Sequence, residues 1–238
     1  LNLHKPLGIT SARALARVRG ITGQRRSGHA GSLDPLAEGV LLICLGDATK
    51  LVEAVMDQPK VYRTVAALDV TSPSFDLELA TTPVAVTEPP AREQVAEVLG
   101  SLEGVSEQIP PATSAVKLRG RPAYELARAG HAPVLAPRPV QIYWIHLWRY
   151  DWPLIEFEVA CGRGTYIRAL IRDIGARLRT GGCLTALQRR AVGPFASESS
   201  WTLERLRECL DPGVAVVPLD EARRLLARRP VLIPARPA

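Results

Sequence analysis

The sequence predicts a mixed α/β (α+β) domain. Runs rich in β-formers at Val40–Leu45, Lys60–Leu68, Pro139–Arg149 and Leu154–Val159 alternate with helix-like segments at Ser11–Arg19, Ala48–Met56, Arg92–Leu102 and Ala169–Arg179. A chain of 238 residues holds one sizeable domain, or one with an appendage, and 47% hydrophobic residues are enough to fill its core. No internal repeat or low-complexity tract points elsewhere.

The stretch from Leu1 to Ser11 reads as a short strand followed by a turn. Lys5, placed before a proline, reads by itself as a solvated side chain. Thr10 or Ser11 then caps a helix reaching about Arg19, with Leu15 and Val18 on its apolar side. The next stretch, Gly28 to Gly39, is too glycine-rich for ordinary helix or strand, and the apolar run Val40–Leu45 follows it as a buried strand. Lys5, Arg13, Arg17, Arg19, Arg25 and Arg26 all precede the first carboxylate of the chain, Asp34. A carboxylate among cations stays ionised, so Asp34 suits a nucleophile or an electrostatic stabiliser. It equally suits an Asp-Pro turn whose side chain bonds nearby backbone N–H groups.

Ala48–Met56 fits a short amphipathic helix, and Tyr62 sits between Lys60 and Arg63 on the strand Lys60–Leu68. A strand tyrosine serves cross-strand packing or offers an aromatic face to a ligand. Residues 69–90 read as a hairpin or loop, and the helix 92–102 follows. Gly120–Gly130 reads as a short helix closed by Gly130. Asp151-Trp152-Pro153 turns the strand 139–149 into 154–159, the latter with Ile-Glu-Phe-Glu-Val alternation. From 163 to 190 the chain carries Arg163, Arg168, Arg172, Arg177, Arg179, Arg189 and Arg190 against Asp173 alone. Arg168 and Arg172 fall four apart on one helix face and repel unless an anion answers them. A helix at Trp201–Glu208 and another from Pro218 complete the chain.

A net charge of +6, carried mostly by arginine, favours a phosphate-bearing partner. Cys44, Cys161, Cys183 and Cys209 lack metal-ligand spacing and read as reduced, packed thiols. Neither a signal peptide nor a run of 18 apolar residues is present, so a cytoplasmic protein without membrane, metal or cofactor is expected.

Gly28-His29-Ala30-Gly31-Ser32-Leu33-Asp34-Pro35 resembles the catalytic loop of the TruB family of tRNA pseudouridine synthases, usually Gly-His-Thr-Gly-Thr-Leu-Asp-Pro. Ala30 and Ser32 depart from that form at two small positions. The pieces Lys5-Pro6-x-Gly8-Ile9-Thr10-Ser11, Lys60-x-Tyr62-Arg63, Ser114-Ala115-x-Lys117, Tyr124-Glu125-x-Ala127-Arg128-x-Gly130 and Arg163-Gly164-Thr165-Tyr166-Ile167-Arg168 fit the family in the same order. The family's Thr-Asp-Thr-x-Asp-x-x-Gly stretch is reduced here to Thr71–Glu78, with Asp76 its remnant, and no site residue is assigned there. The Ser-Ala-x-Lys and Tyr-Glu pieces are expected to shape a cleft wall.

The resemblance implies a largely antiparallel central sheet flanked by helices, with the active site in a cleft. It implies conversion of uridine to pseudouridine in the T-loop of tRNA (position 55), with Asp34 as the catalytic carboxylate. Tyr62 would stack on the base, Tyr166 line the pocket, Arg168 pair with Asp34 and Leu187 pack on the base. His29 would help reorganise neighbouring bases, and Lys5 belongs to the N-terminal motif. The basic stretches 13–26 and 163–190 would read RNA shape through phosphates and 2′-hydroxyls. We expect a monomer with a catalytic domain at 1–212 and a short extension at 213–238, in place of the family's C-terminal PUA-type domain. Two rival classes use similar residues. A nucleoside hydrolase or glycosidase normally needs a second acid; a tRNA-folding chaperone would use the basic cleft without chemistry.

Overall fold

The computed structural model describes residues 1–114, 116–118, 120–128 and 133–228. Ala115, the stop expected at Gly130 and the chain from 229 onward lie outside the described residues. The chain forms two compact units, Leu1–Arg63 with Leu187–Ala238, and Thr64–Ala186. It passes from one to the other within the strands Lys60–Ala67 and Cys183–Val192.

The first unit is built on the strand Ala37–Leu45. This strand pairs antiparallel with Asn2–Lys5 (Leu3 opposite Leu41) and with Ser27–His29 (His29 opposite Ile43). It pairs parallel with Leu187–Arg189 (Leu187 opposite Ala37). Its apolar run is continuous because both faces are covered. Leu41 and Ile43 join Leu3, Leu15, Val18, Leu203 and Leu206 in one cluster. Val40 and Leu42 join Ala30, Val55 and Val192 in another. The helix Ser11–Thr22 runs past the expected Arg19 to an αL Gly23, and Thr10 is its cap, its hydroxyl accepting from the Arg13 N–H. The helix expected at 48–56 is α-helical only over Val52–Met56, after a 3-10 segment at Gly46–Leu51. There the Thr49 hydroxyl takes the Gly46 carbonyl at 2.8 Å, the group an α-helix would offer to Lys50 N–H.

Gly39 fixes the parallel pairing. Its φ is +103°, and a Cβ there would lie 2.3 Å from the Arg189 carbonyl oxygen. A side chain is excluded twice, by backbone conformation and by space. Gly39→Ala is therefore expected to cost about 3 kcal/mol or more of stability. Urea unfolding of both proteins checks this, and a loss below about 1 kcal/mol would contradict it.

In the second unit Gly104–Gln108, Arg138–Asp151 and Leu154–Cys161 form an antiparallel ladder, with Val140 opposite Ser106 and Leu147 opposite Phe157. The strand Gly104–Gln108 was not expected, because Gly-Val-Ser-Glu-Gln holds one β-former. It is set by pairing on one side, with Val105 and Glu107 exposed. The helix Arg92–Gly100 packs on the strand Arg138–Asp151 and on the helix Ile167–Leu178. In 69–90, expected as a hairpin or loop, the strand pairing is Val70 with Pro83 and Thr71 with Thr82. The mixed α/β, largely antiparallel architecture is thus the expected one, with a single parallel pairing among those described above.

Candidate active site

Asp34 sits in a loop pinned from several sides of the first unit. The Asp34 carbonyl accepts the Ala37 N–H at 3.0 Å, closing a turn with Pro35 and Leu36 at its centre. The turn therefore uses the backbone of Asp34. One residue earlier, the Ser11 hydroxyl donates to the Leu33 carbonyl (3.0 Å) and accepts from the Leu33 N–H (2.8 Å). Ser11 thus serves the loop, while Thr10 serves the helix. Gly8 N–H reaches the Pro35 carbonyl at 2.8 Å. Arg189, 1% exposed, extends its guanidinium to the carbonyls of Val40 (2.7 Å) and Gly31 (3.0 Å).

Lys5 is fully buried, contrary to the solvated reading. Its ammonium donates to the carbonyls of Pro6 (2.9 Å) and Ile9 (2.8 Å). Burial lowers its pKa to about 8; Asp34 and Glu38 oppose that shift, and Arg189 adds to it. Two buried cations thus surround the loop that carries Asp34. His29 lies on the strand Ser27–His29 with Nδ1 buried and without a hydrogen-bond partner. Burial and then Arg189 push its pKa down, so the ring is neutral at physiological pH. Tyr62 and Leu187 are both buried side chains of the same unit. Lys60, which flanks Tyr62 in the motif, is itself buried and gives its ammonium to the Met56 and Gln58 carbonyls.

The Lys5 shift carries a pH signature. The folded value, about 8, lies below the unfolded 10.5, so between them the unfolded chain binds more protons and stability rises with pH. Subtracting the unfolding free energy of Lys5→Met removes other titrations. The wild-type minus variant difference should climb from about pH 8 to about 10.5; a flat difference would contradict the buried ammonium.

Tyr166 and Arg168 belong to the second unit, at the start of the helix Ile167–Leu178. Tyr166 is half-buried beside the cluster of Val116, Ala123 and Leu135. Arg168 is 3% exposed. Its Nε lies 3.6 Å from the Asp76 carboxylate, and its terminal nitrogens donate to the Ser74 carbonyl (3.2 Å) and to Thr113. Asp76 is itself buried, and its carbonyl accepts the Ser72 hydroxyl at 2.6 Å. Sequence reasoning left Asp76 unassigned because the motif around it had diverged; its place as the acid of that motif was the available signal. Arg172 is answered by Asp173 at 2.7 Å and lies over the Phe75 ring. The repulsion expected between Arg168 and Arg172 is therefore relieved by two carboxylates of the protein itself.

The basic surface expected over 163–190 is correspondingly smaller. Arg168 and Arg189 are buried, Arg177 bonds Ser101, and Arg190 pairs with Glu198. Over 13–26, Arg19 ties to Ser27 and Arg26 to Asp47, while Arg13, Arg17 and Arg25 stand exposed. Among the described residues no group of three or more His, Cys, Asp or Glu is placed to hold a metal, and no helix is long and apolar enough to cross a membrane. The four cysteines are free thiols, with Cys44, Cys161 and Cys183 buried.

The profile described as the N-terminal domain of TruB family pseudouridylate synthase matches residues 19–167. That described as the tRNA pseudouridylate synthase B C-terminal domain matches residues 168–222. The tRNA pseudouridine synthase B of Nitrobacter winogradskyi is 46% identical over 213 residues, covering 88% of this chain and 58% of the relative. The protein of that name from Bordetella avium is 41% identical over 223 residues, covering 93% and 91%. This chain thus spans little more than half of one curated relative and nearly all of another. A solved Cbf5-Nop10-Gar1 complex contains a chain of similar fold, with a TM-score of 0.75 at 27% identity. That match covers 94% of this chain and 61% of the other.

Proposed function

Because the chain belongs to the TruB family of pseudouridylate synthases, we propose that it isomerises uridine to pseudouridine in the T-loop of tRNA, at position 55. The observation that carries this reading is the Asp34 loop, fixed by Ser11, Gly8 and Arg189 and set beside the buried ammonium of Lys5. In the reaction the bond from N1 to the sugar breaks, the uracil turns, and C5 bonds to C1′. The C5 proton leaves and N1 takes up a proton, so nothing is oxidised and no group is imported. The chemistry needs an ionised carboxylate at the nucleoside, which Asp34 supplies. The target base must first leave its stack, at a cost of ~2–4 kcal/mol.

In this reading Tyr62 stacks on the flipped base, Leu187 packs on it and Tyr166 lines its pocket. Arg168 is the positive partner of Asp34, and His29, neutral, meets bases next to the target. Lys5 holds the loop. The T-arm stem-loop is the element recognised, with Arg13, Arg17 and Arg25 meeting phosphates. The protein acts in the cytoplasm as a monomer without cofactor, with its catalytic domain spanning 1–212.

A tRNA transcript labelled with tritium at C5 of uridine tests the reading. Turnover should release one tritium for each tRNA. Tight binding without release would remove the catalytic function and leave an RNA-binding protein; free uracil would mark a hydrolase instead.

A further inference from the structure

The stretch from Gln108 to Thr113, to which sequence reasoning gave no role, touches the Tyr166–Arg172 segment at three points. The Gln108 side chain, 4% exposed, accepts the Tyr166 N–H at 2.8 Å. The Ile109 carbonyl accepts from the Arg172 guanidinium at 3.0 Å. The Thr113 hydroxyl accepts from the Arg168 guanidinium at 2.6 Å, and the Thr113 carbonyl accepts from its other terminal nitrogen at 3.3 Å.

We infer that Gln108 and Thr113 are positioning residues, one fixing the backbone that presents Tyr166 and the other fixing the rotamer of Arg168. The consequence for turnover rests on the function proposed above. An arginine side chain has four soft torsions, and its fork is useful only when held in one plane. Here Asp76 faces Nε, while Ser74 and Thr113 take the terminal nitrogens. The Thr113 hydroxyl gives the shortest of these contacts, and hydrogen bonds to a charged donor are the stronger kind. Tyr166 occupies the N-cap position of its helix and makes no capping bond with its own side chain. The acceptor that Gln108 brings to the Tyr166 N–H therefore fixes the turn from outside the helix.

Four variants separate positioning from packing. Thr113→Val keeps the shape and loses the hydroxyl, whereas Thr113→Ser keeps it. Gln108→Leu fills the space without an acceptor, whereas Gln108→Glu retains one. We expect kcat on tRNA to fall about tenfold or more in Thr113→Val and Gln108→Leu with KM nearly unchanged, as for a lost bond to a charged or buried group. Thr113→Ser and Gln108→Glu should stay within about threefold of wild type. A packing role would invert the Gln108 pair, sparing Leu and penalising the buried carboxylate.

The second readout needs no turnover. In protein labelled with 15N-arginine, the guanidinium signals of Arg168, assigned by their loss in Arg168→Lys, should be resolved in wild type and in Thr113→Ser. They should average in Thr113→Val. An unchanged Arg168 spectrum in Thr113→Val, or wild-type kcat in that variant, overturns the inference. A wild type that releases no tritium overturns the proposed function, while the spectra still decide whether Thr113 holds Arg168.

Discussion

Asp34→Asn is expected to abolish turnover and to leave tRNA affinity within several-fold of wild type. Asparagine has nearly the same size and shape and keeps the turn's backbone bond from the Ala37 N–H to the carbonyl of residue 34. What disappears is the charge. Removing one preorganised catalytic group typically costs ~100-fold or more, while phosphate contacts elsewhere dominate RNA affinity. A second, independent sign should accompany the loss. Asp34 helps to keep Lys5 protonated, so the variant's Lys5 should titrate below the wild-type value of about 8. Residual turnover above about one per cent would sink the essential role given to this carboxylate.

Arg168→Lys keeps one positive charge and is nevertheless expected to lose about 100-fold in kcat, because several bonds to a charged donor go together. The guanidinium spans the Asp76 carboxylate, the Ser74 carbonyl and Thr113, and a single ammonium cannot reach all of them. Asp76 is buried, so weakening its partner also lowers stability, and turnover must be compared on protein shown to be folded. Turnover within threefold of wild type would show that the fork of Arg168 is dispensable, and the role of the Asp76 pair would fall with it.

How much of this was legible beforehand differs from element to element. Residues 37–39, read as glycine-rich loop, belong to the strand Ala37–Leu45. The rest of that strand, Val40–Leu45, and most of the pair Arg138–Asp151 and Leu154–Cys161 were readable because an apolar or alternating pattern is a local property of sequence. Gly104–Gln108 was not, since its strand state comes from pairing with Arg138–Ile142. The motif residues were found as motifs, but their surroundings were misjudged. Lys5 and Lys60 are buried and spend their charges on backbone carbonyls, which a charge pattern cannot reveal. Arg168 and Arg189 were counted toward a basic surface and instead lie inside the fold. Asp76 was left unassigned because the motif around it had diverged, and its pairing with Arg168 is formed only by the fold. Local pattern reports periodicity and turn chemistry; the partner of a buried charge is a long-range fact.

The central claim is that this chain carries out a mass-neutral conversion of one tRNA uridine with Asp34 as the catalytic carboxylate. Carbodiimide derivatisation followed by reverse transcription tests it most directly, because the adduct on pseudouridine survives alkali and stops the polymerase. With an unmodified tRNA transcript, the account predicts a single new stop, in the T-loop at position 55. The stop should appear with wild type and be missing with Asp34→Asn at equal bound tRNA. A stop of equal strength with the asparagine variant, or none with wild type while tRNA is bound, would contradict it.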